Sequence, residues 1–221
     1  MRQGTRAAIV ALVLSIGAGP LAAQARGLPV YNNGVPRGIG LYGDVGFPND
    51  EAGGGTAYGV TGRAGFGAFG ATATLASYNP DGPAGSEISV GATGNYRVFG
   101  GPLVPLAVTL QAGVGYAKPE EGLLPDEDIS EWHFPIGVGF TLTIPNPALA
   151  IKPWLAPRVD IVQISPDEGD GTTNTEFGLS GGVELNLLSG LGFHAAYDAV
   201  FADGTQGVFG LGAHYNFRVG L

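Results

Sequence analysis

The chain contains no cysteine and few charged residues, and beyond its N-terminus it has no long apolar run. Without cysteine, the chain can form neither disulfide bonds nor a lipidated cysteine anchor. Charged residues make up 13% of the sequence, about half of the roughly 25% that is usual in soluble globular domains. Mean hydropathy is nonetheless positive, while a membrane-spanning helix needs about 18 consecutive apolar residues. The apolar residues must therefore follow another pattern.

The N-terminus has the composition of a secretory signal peptide. A basic region with Arg2 and Arg6 precedes an apolar stretch over 7–19, and the small-x-small motif Ala23-Gln24-Ala25 follows. The apolar stretch is too short to anchor the chain in a membrane. The predicted division of the chain is a cleaved signal peptide (1–25), a periplasmic N-terminal segment (26–36) and a single domain (37–221).

The rest of the sequence repeats a two-residue hydrophobic period. Over 106–116, 132–144 and 209–221, one set of alternating positions is apolar, and the other is mostly glycine or polar. This alternation predicts β-strands with one apolar face. Ten segments follow the pattern, over 38–47, 57–66, 69–78, 87–99, 105–116, 132–144, 149–162, 175–186, 191–199 and 208–219. Short turns and longer acidic loops alternate between them, which indicates an up-and-down meander.

The composition of the two strand faces decides which face meets water. A soluble barrel would need a charged exterior, but the second face consists largely of glycine, threonine and serine. With the apolar face toward lipid, closure leaves no unpaired backbone in hydrocarbon. The sequence therefore predicts an all-β fold, a closed antiparallel up-and-down transmembrane β-barrel of ten strands, in a bacterial outer membrane. Eight strands is the alternative, because Pro153 and Pro157 remove donors from the seventh segment and 191–199 is short.

Aromatic residues on the apolar face group near the two ends of the strands, as membrane-interface belts do. The predicted belt at the long-loop end contains Tyr58, Tyr116, Trp132 and Phe177, and the belt at the short-turn end contains Phe66, Tyr96, Phe193, Tyr215 and Phe217.

The last strand carries the sequence Gly212-Ala213-His214-Tyr215-Asn216-Phe217. This hexapeptide matches the Gly-x-x-aromatic-x-aromatic assembly signal of small bacterial outer-membrane β-barrels. The chain thus resembles that superfamily, of the kind represented by outer-membrane protein W and the opacity proteins, although 218–221 follow the final aromatic residue. The resemblance implies insertion by the barrel-assembly machinery and contact with outer-membrane lipids, including lipopolysaccharide.

The other face of the strands carries five acids and five bases. They are Asp44, Arg63, Arg97, Lys152, Arg158, Asp160, Glu176, Glu184, Asp198 and Arg218. Charges removed from water must be paired or hydrogen-bonded, so we predict a polar network inside the barrel. Such a network plugs the lumen or, given the many glycines on this face, lines a narrow path for small solutes or ions.

All three histidines belong to the same face. Folding neighbouring strands together brings Glu184, His194 and His214 close to one another, either as metal ligands or as part of the hydrogen-bond network. We expect no organic cofactor. The acidic long loops offer sites where divalent cations would bridge to lipopolysaccharide phosphates.

Catalytic motifs are scarce. The sequence has no Gly-x-Ser-x-Gly element and no phosphate loop, and only His133, beside Glu131, lies near the predicted rim. We therefore expect a structural or surface-binding barrel, with or without a narrow pore, rather than an enzyme. The alternative is an outer-membrane barrel enzyme, either a rim protease or a lipid-modifying hydrolase. We expect a monomer without nucleic-acid partners.

Overall fold

The chain folds into a closed antiparallel barrel of ten long strands in a computed structural model. The structure describes residues 25–36, 38–82, 85–101, 104–118, 129–166, 170–202 and 204–217. The strands are β1 (Gly38–Pro48), β2 (Thr56–Phe66), β3 (Phe69–Asn79), β4 (Glu87–Gly101), β5 (Val104–Lys118), β6 (Ile129–Leu142), β7 (Ile144–Pro145), β8 (Leu149–Pro166), β9 (Thr172–Leu187), β10 (Leu191–Ala202) and β11 (Gly204–Phe217). Strand β7 has only two residues and pairs with β8 beside the main ladder.

Neighbouring strands pair in sequence order, and two further ladders close the ring. Strand β6 pairs with β8, and β1 pairs with β11. The predicted ten-stranded barrel is confirmed, and the eight-stranded alternative is wrong. We call the end with the short β2–β3 and β9–β10 connections the turn end. The opposite end, which carries the 3₁₀ helix Asp50–Ala52, is the loop end.

Alternation along each strand separates an outer from an inner surface. In β1, Ile39 and Leu41 are about half exposed on the outside, while Tyr42 and Asp44 are almost fully buried inside. Successive side chains of a strand point to opposite faces, so the two-residue sequence period becomes an apolar exterior and a polar interior.

The two prolines of the seventh predicted segment interrupt one ladder only. The β8–β9 register runs unbroken from Leu149↔Leu187 to Ile164↔Thr172. The β6–β8 register, by contrast, skips Pro157, between the pairs Gly137↔Arg158 and Phe140↔Leu155. Because proline has no N–H to donate, the gap falls on the edge that lacks donors.

The last hairpin is tighter than predicted. The sequence predicts a long loop over 200–207, but strands β10 and β11 continue until Ala202 pairs with Gly204. Val200 packs on Val162 inside the barrel, and Gly204 has a φ of 115°. Buried apolar contact on one side and a glycine suited to a tight turn extend the ladder beyond the predicted boundary.

The chain before β1 lies inside the barrel. We call residues 25–36 the lumen segment; the stretch 25–32 is buried, and 33–36 is partly buried. Arg26 contacts Glu87 near the loop end, Asn33 contacts Glu184, and Pro36 lies against Gly65 and Gly70 near the turn end. The segment thus traverses the lumen before the chain turns into β1. This placement differs from the periplasmic segment predicted over 26–36.

Glycines on the inner face make room for the lumen segment. A side chain at Gly46 would collide with the carbonyl group of Gly27, and one at Gly210 would collide with Pro29. Gly46 and Gly210 are also direct partners in the β1–β11 ladder. Both sides of this seam therefore need glycine where the segment passes.

Gly46 and Gly43, both in β1, allow a matched test of this packing. Gly46→Val should lower the free energy of unfolding by about 1–3 kcal/mol, because the new side chain overpacks the lumen segment. Gly43→Val should change it by less than about 0.5 kcal/mol, because a Cβ at Gly43 meets nothing within 4 Å. Urea unfolding in detergent micelles gives both values. Equal losses of unfolding free energy in the two variants would contradict the packing of the lumen segment against Gly46.

Candidate functional site

Three polar clusters connect the barrel wall to the lumen segment. The loop-end cluster contains Arg26, Glu87, Ser89, Glu131 and His133. The central cluster contains Val30, Arg158, Asp160 and Asp198. The turn-end cluster contains Asn33, Asp44, Arg63, Lys152, Glu184, Asn186, His194 and His214. Each cluster includes at least one residue of the lumen segment or one of its direct partners.

In the loop-end cluster, Arg26 lies between two carboxylates. Its Nη1 is 2.7 Å from Glu87 Oε2 and 3.7 Å from Glu131 Oε2. The Arg26 backbone N–H donates to Ser89 Oγ at 3.0 Å, and His133 Nε2 lies 2.5 Å from Glu131 Oε1. Burial lowers the pKa of the Arg26 guanidinium, but the two carboxylates outweigh burial and raise this pKa above its ordinary value. The guanidinium is therefore held as a cation.

The central cluster pairs one buried cation with two buried acids. Arg158 Nη1 and Nη2 lie 2.5 and 3.1 Å from the two carboxylate oxygens of Asp198. Arg158 Nε lies 2.8 Å from Asp160 Oδ2. The Val30 backbone N–H of the lumen segment donates to Asp198 Oδ2 at 3.3 Å. The planar guanidinium fork thus ties strands β8 and β10 together, while Asp198 holds the segment.

The turn-end cluster contains a hydrogen-bonded chain of two imidazoles. His194 Nε2 lies 2.7 Å from Asp44 Oδ1. His194 Nδ1 lies 3.2 Å from His214 Nδ1, and His214 Nε2 lies 3.0 Å from Asn186 Oδ1. All four ring nitrogens therefore have a partner.

Each end of this chain is a hydrogen-bond acceptor. Asn186 Nδ2 donates to Glu184 Oε1 at 2.6 Å, so Asn186 presents its carbonyl oxygen to His214 Nε2. At the other end, the Asp44 carboxylate accepts from His194 Nε2. The chain therefore links strands β1, β9, β10 and β11 inside the turn-end cluster.

Of the two alternatives for Glu184, His194 and His214, the structure shows the hydrogen-bond network. Within the described residues, no group of three or more histidine, aspartate or glutamate side chains has the geometry to hold a metal ion. Glu184 instead accepts from Asn33 Nδ2 at 2.6 Å and Lys152 Nζ at 3.3 Å.

The register explains why His194 and Glu184 do not converge on one point. Glu184 pairs with His194 as predicted. Gly212, which has no side chain, separates His194 from Asp44 in the register. The imidazole crosses over this glycine to Asp44 and away from Glu184. The gap left by this glycine therefore decides which carboxylate His194 reaches.

Tyr31 of the lumen segment is packed among aromatic and cationic side chains. Its ring centroid lies 6.0 Å from that of Trp154 and 5.3 Å from that of His194. The Arg63 guanidinium lies 4.0 Å from the ring centroid of Tyr42 and 5.3 Å from that of Tyr31. These contacts combine apolar burial with cation–π attraction at the middle of the barrel.

The predicted lumen residues have different surroundings. Six of the ten are buried inside the barrel: Asp44, Arg63, Arg158, Asp160, Glu184 and Asp198. Lys152 and Glu176 are half-buried. Arg97 lies at the turn end, where its Nη2 donates to the Gly67 carbonyl at 2.8 Å. Arg218 lies outside the described residues.

The predicted belt residues lie on the outer face. Eight of the nine are at least 40% exposed: Tyr58, Phe66, Tyr96, Trp132, Phe177, Phe193, Tyr215 and Phe217. Tyr116 is half-buried, because its ring packs against Trp132 at a centroid distance of 4.8 Å. Tyr215 and Phe217 also contact each other, at 5.0 Å.

The loop-end cluster was not predicted from the sequence. Arg26 falls in the predicted periplasmic segment, and Glu87 and Glu131 lie beside the predicted long acidic loops, whereas the structure buries all three together. A usable signal was the composition of the lumen segment, because Leu28, Val30 and Tyr31 are unusually apolar for a free, solvated stretch.

The exterior defines the class of protein. Outward side chains such as Leu41, Val60 and Phe193 are about half exposed over the whole barrel wall, and a surface of this extent is unstable in water. A closed barrel with an apolar outside and a polar inside satisfies the hydrocarbon interior of a membrane. The chain is a transmembrane β-barrel of the bacterial outer-membrane class. Among the described residues, no helix is both long and apolar enough to cross a membrane.

No protein-family model and no curated protein matches this sequence. The β domain of the Bordetella autotransporter BrkA aligns with 81% of this chain and 98% of its own, at 17% identity and a TM-score of 0.49. The translocator domain of the autotransporter NalP from Neisseria meningitidis aligns with 82% of this chain and 89% of its own, at 13% identity and a TM-score of 0.45. The N-terminal β-barrel domain of Pseudomonas aeruginosa OprF aligns with 81% of this chain and 96% of its own, at 13% identity and a TM-score of 0.40.

Two arginines of the predicted network provide a test of the central cluster. Arg158→Ala should lower the free energy of unfolding by about 3–5 kcal/mol, because it leaves Asp160 and Asp198 buried without their counter-ion. Arg97→Ala removes only an exposed bond to a turn carbonyl and should cost less than about 1 kcal/mol. Urea unfolding in detergent micelles measures both. Similar costs would contradict the pairing described for Arg158.

The imidazole chain is tested by a double-mutant cycle. His194→Ala should destabilise the barrel by about 3–5 kcal/mol, because the Asp44 carboxylate stays buried without its partner. Asp44→Asn in the His194→Ala background should recover part of that loss, since it removes the buried charge. The same urea assay gives the coupling free energy. Strictly additive losses would exclude a charge pair between the two residues.

Proposed function

We propose that this protein is a closed outer-membrane barrel with a structural or surface-binding role. The observation that carries the proposal is the lumen segment, which occupies the interior from the loop end to the turn end. The cavity beside Leu28, Pro29 and Tyr31 measures about 10 Å³, roughly the space that one water molecule needs. A path for solutes or ions would require this segment to move.

The buried state of its acid–base groups supports a non-enzymatic role. His133, the histidine predicted nearest the rim, is 2% exposed, and its Nε2 is bonded to Glu131. A rim protease or lipid-modifying hydrolase needs catalytic groups that touch a substrate outside the barrel. His133 faces the lumen, where Glu131 connects it to Arg26.

The outer surface and the loop end are the parts available for binding. Asp50, Glu51, Asp81 and Asp170 are exposed there, and divalent cations would link such carboxylates to lipopolysaccharide phosphates. We place the chain, as a monomer, among outer-membrane lipids. The narrower resemblance to outer-membrane protein W and the opacity proteins belongs to this proposal and is supported by the motif over 212–217.

Conductance distinguishes a closed barrel from a pore. The purified protein should show no stepwise conductance in planar lipid bilayers, because the lumen segment blocks the interior. A variant that lacks 26–36 should conduct, since the remaining lumen is lined by charged groups. Arg97→Ala is the control and should remain silent like the parent protein.

Stepwise conductance by the parent protein, altered by Arg97→Ala, would favour the pore instead. If the truncated variant does not fold, Tyr31→Gly provides a second test. It removes the ring that packs on Trp154 and His194 and should produce brief openings.

A further inference from the structure

The loop-end cluster contains more carboxylates than guanidinium groups. Glu87 and Glu131 contribute two carboxylates, and Arg26 contributes one guanidinium. His133 Nε2 lies 2.5 Å from Glu131 Oε1, and the nearby Tyr78 hydroxyl donates to the carbonyls of Ala52 and Gly54. A further cation beside the two carboxylates would be favourable, because a buried carboxylate without a counter-ion is costly.

Arg26 is also the residue that follows the predicted cleavage motif. Hydrolysis of the Ala25–Arg26 peptide bond consumes one water, leaves a carboxylate on Ala25, and leaves an amine on Arg26 that is mostly protonated at neutral pH. The nitrogen that becomes this amine lies 3.0 Å from Ser89 Oγ. Ser89 and Glu87 point into the lumen from the same face of β4.

The space that cleavage vacates has a mixed lining. Ala25 packs in an apolar cluster that includes Leu28 and Tyr78, and it also borders the small cavity lined by the hydroxyl groups of Thr61, Thr72 and Thr74. Threonine hydroxyls accept hydrogen bonds, and a hydrated ammonium needs such acceptors. Removal of Ala25 therefore opens this cavity directly beside the new amine.

We propose that the lumen holds a binding site for the α-ammonium group that signal-peptide cleavage creates at Arg26, formed by Ser89 and the Glu87–Glu131 pair. The new cation balances the remaining carboxylate. The N-terminus of the processed chain is therefore bound more tightly than the same residues of the uncleaved precursor. The site takes a primary ammonium group, and its ligand is the chain's own N-terminus. The proposal does not depend on whether the barrel conducts.

Amine labelling of the folded protein tests this site without any substitution. Protein purified from outer membranes should begin at Arg26 by N-terminal sequencing. With an acetylating reagent at neutral pH, its α-amine should react at least tenfold more slowly than in urea. Lys118, which is exposed, is the internal control and should label readily in both states. A different N-terminus, or an α-amine that labels equally fast in both states, would overturn the proposal.

A second experiment separates the charge of the amine from its packing. The chain from Arg26 onward is prepared with an acetyl group on its α-amine and with unmodified lysines, and is then refolded into detergent micelles. Acetylation should lower the urea midpoint of the parent protein, because it removes the balancing charge. In the Glu87→Gln variant, the same acetylation should lower the midpoint by less than half as much. An equal shift in both proteins would mean that the acetyl group acts by crowding alone, and the charge argument would fail.

Discussion

Backbone hydrogen bonding in hydrocarbon is the constraint on which the rest of this structure depends. A membrane interior offers no water to unpaired N–H and C=O groups, so a sheet that crosses it must have no free edge. The β1–β11 and β6–β8 ladders meet this condition by joining ten strands into a ring. At the ladder gap beside Pro157, that residue itself has no N–H to leave unpaired.

Closure creates a second problem inside the ring. Ten strands enclose a lumen that is narrow compared with that of the larger porins, yet its wall carries many charges. The lumen segment contributes to the solution at three levels. Arg26 neutralises acids near the loop end, the Val30 N–H binds Asp198, and Asn33 bridges Glu184 and Arg63. Removing the segment would expose each of these groups, so the wall and the segment stabilise each other.

The sequence predicts the strands of the barrel wall far better than the position of the lumen segment. A two-residue period assigns each side chain to a face regardless of its distant partners, so strands, their order and the inward position of residues such as Asp44 could be read directly. The lumen segment has no period, because its backbone does not join the ladder. Its placement depends on distant contacts, such as Arg26 with Glu87 and Tyr31 with Trp154, which no local pattern encodes. The course of the His194 side chain could not be predicted for a related reason. It depends on the pairing of His194 with Gly212, which leaves an open route to Asp44.

The seam between the first and last strands connects barrel closure to the filling of the lumen. Gly46 and Gly210 face each other across it, and both leave room for the segment, at Gly27 and Pro29 respectively. The segment immediately precedes β1, so it approaches from one side of the seam, and β11 completes the other side. If the ring closed first, the segment would have to thread into a narrow lumen and shed the hydration of Arg26 on the way. Docking against β1 before β11 pairs avoids that barrier, so closure and filling are best understood as one packing event.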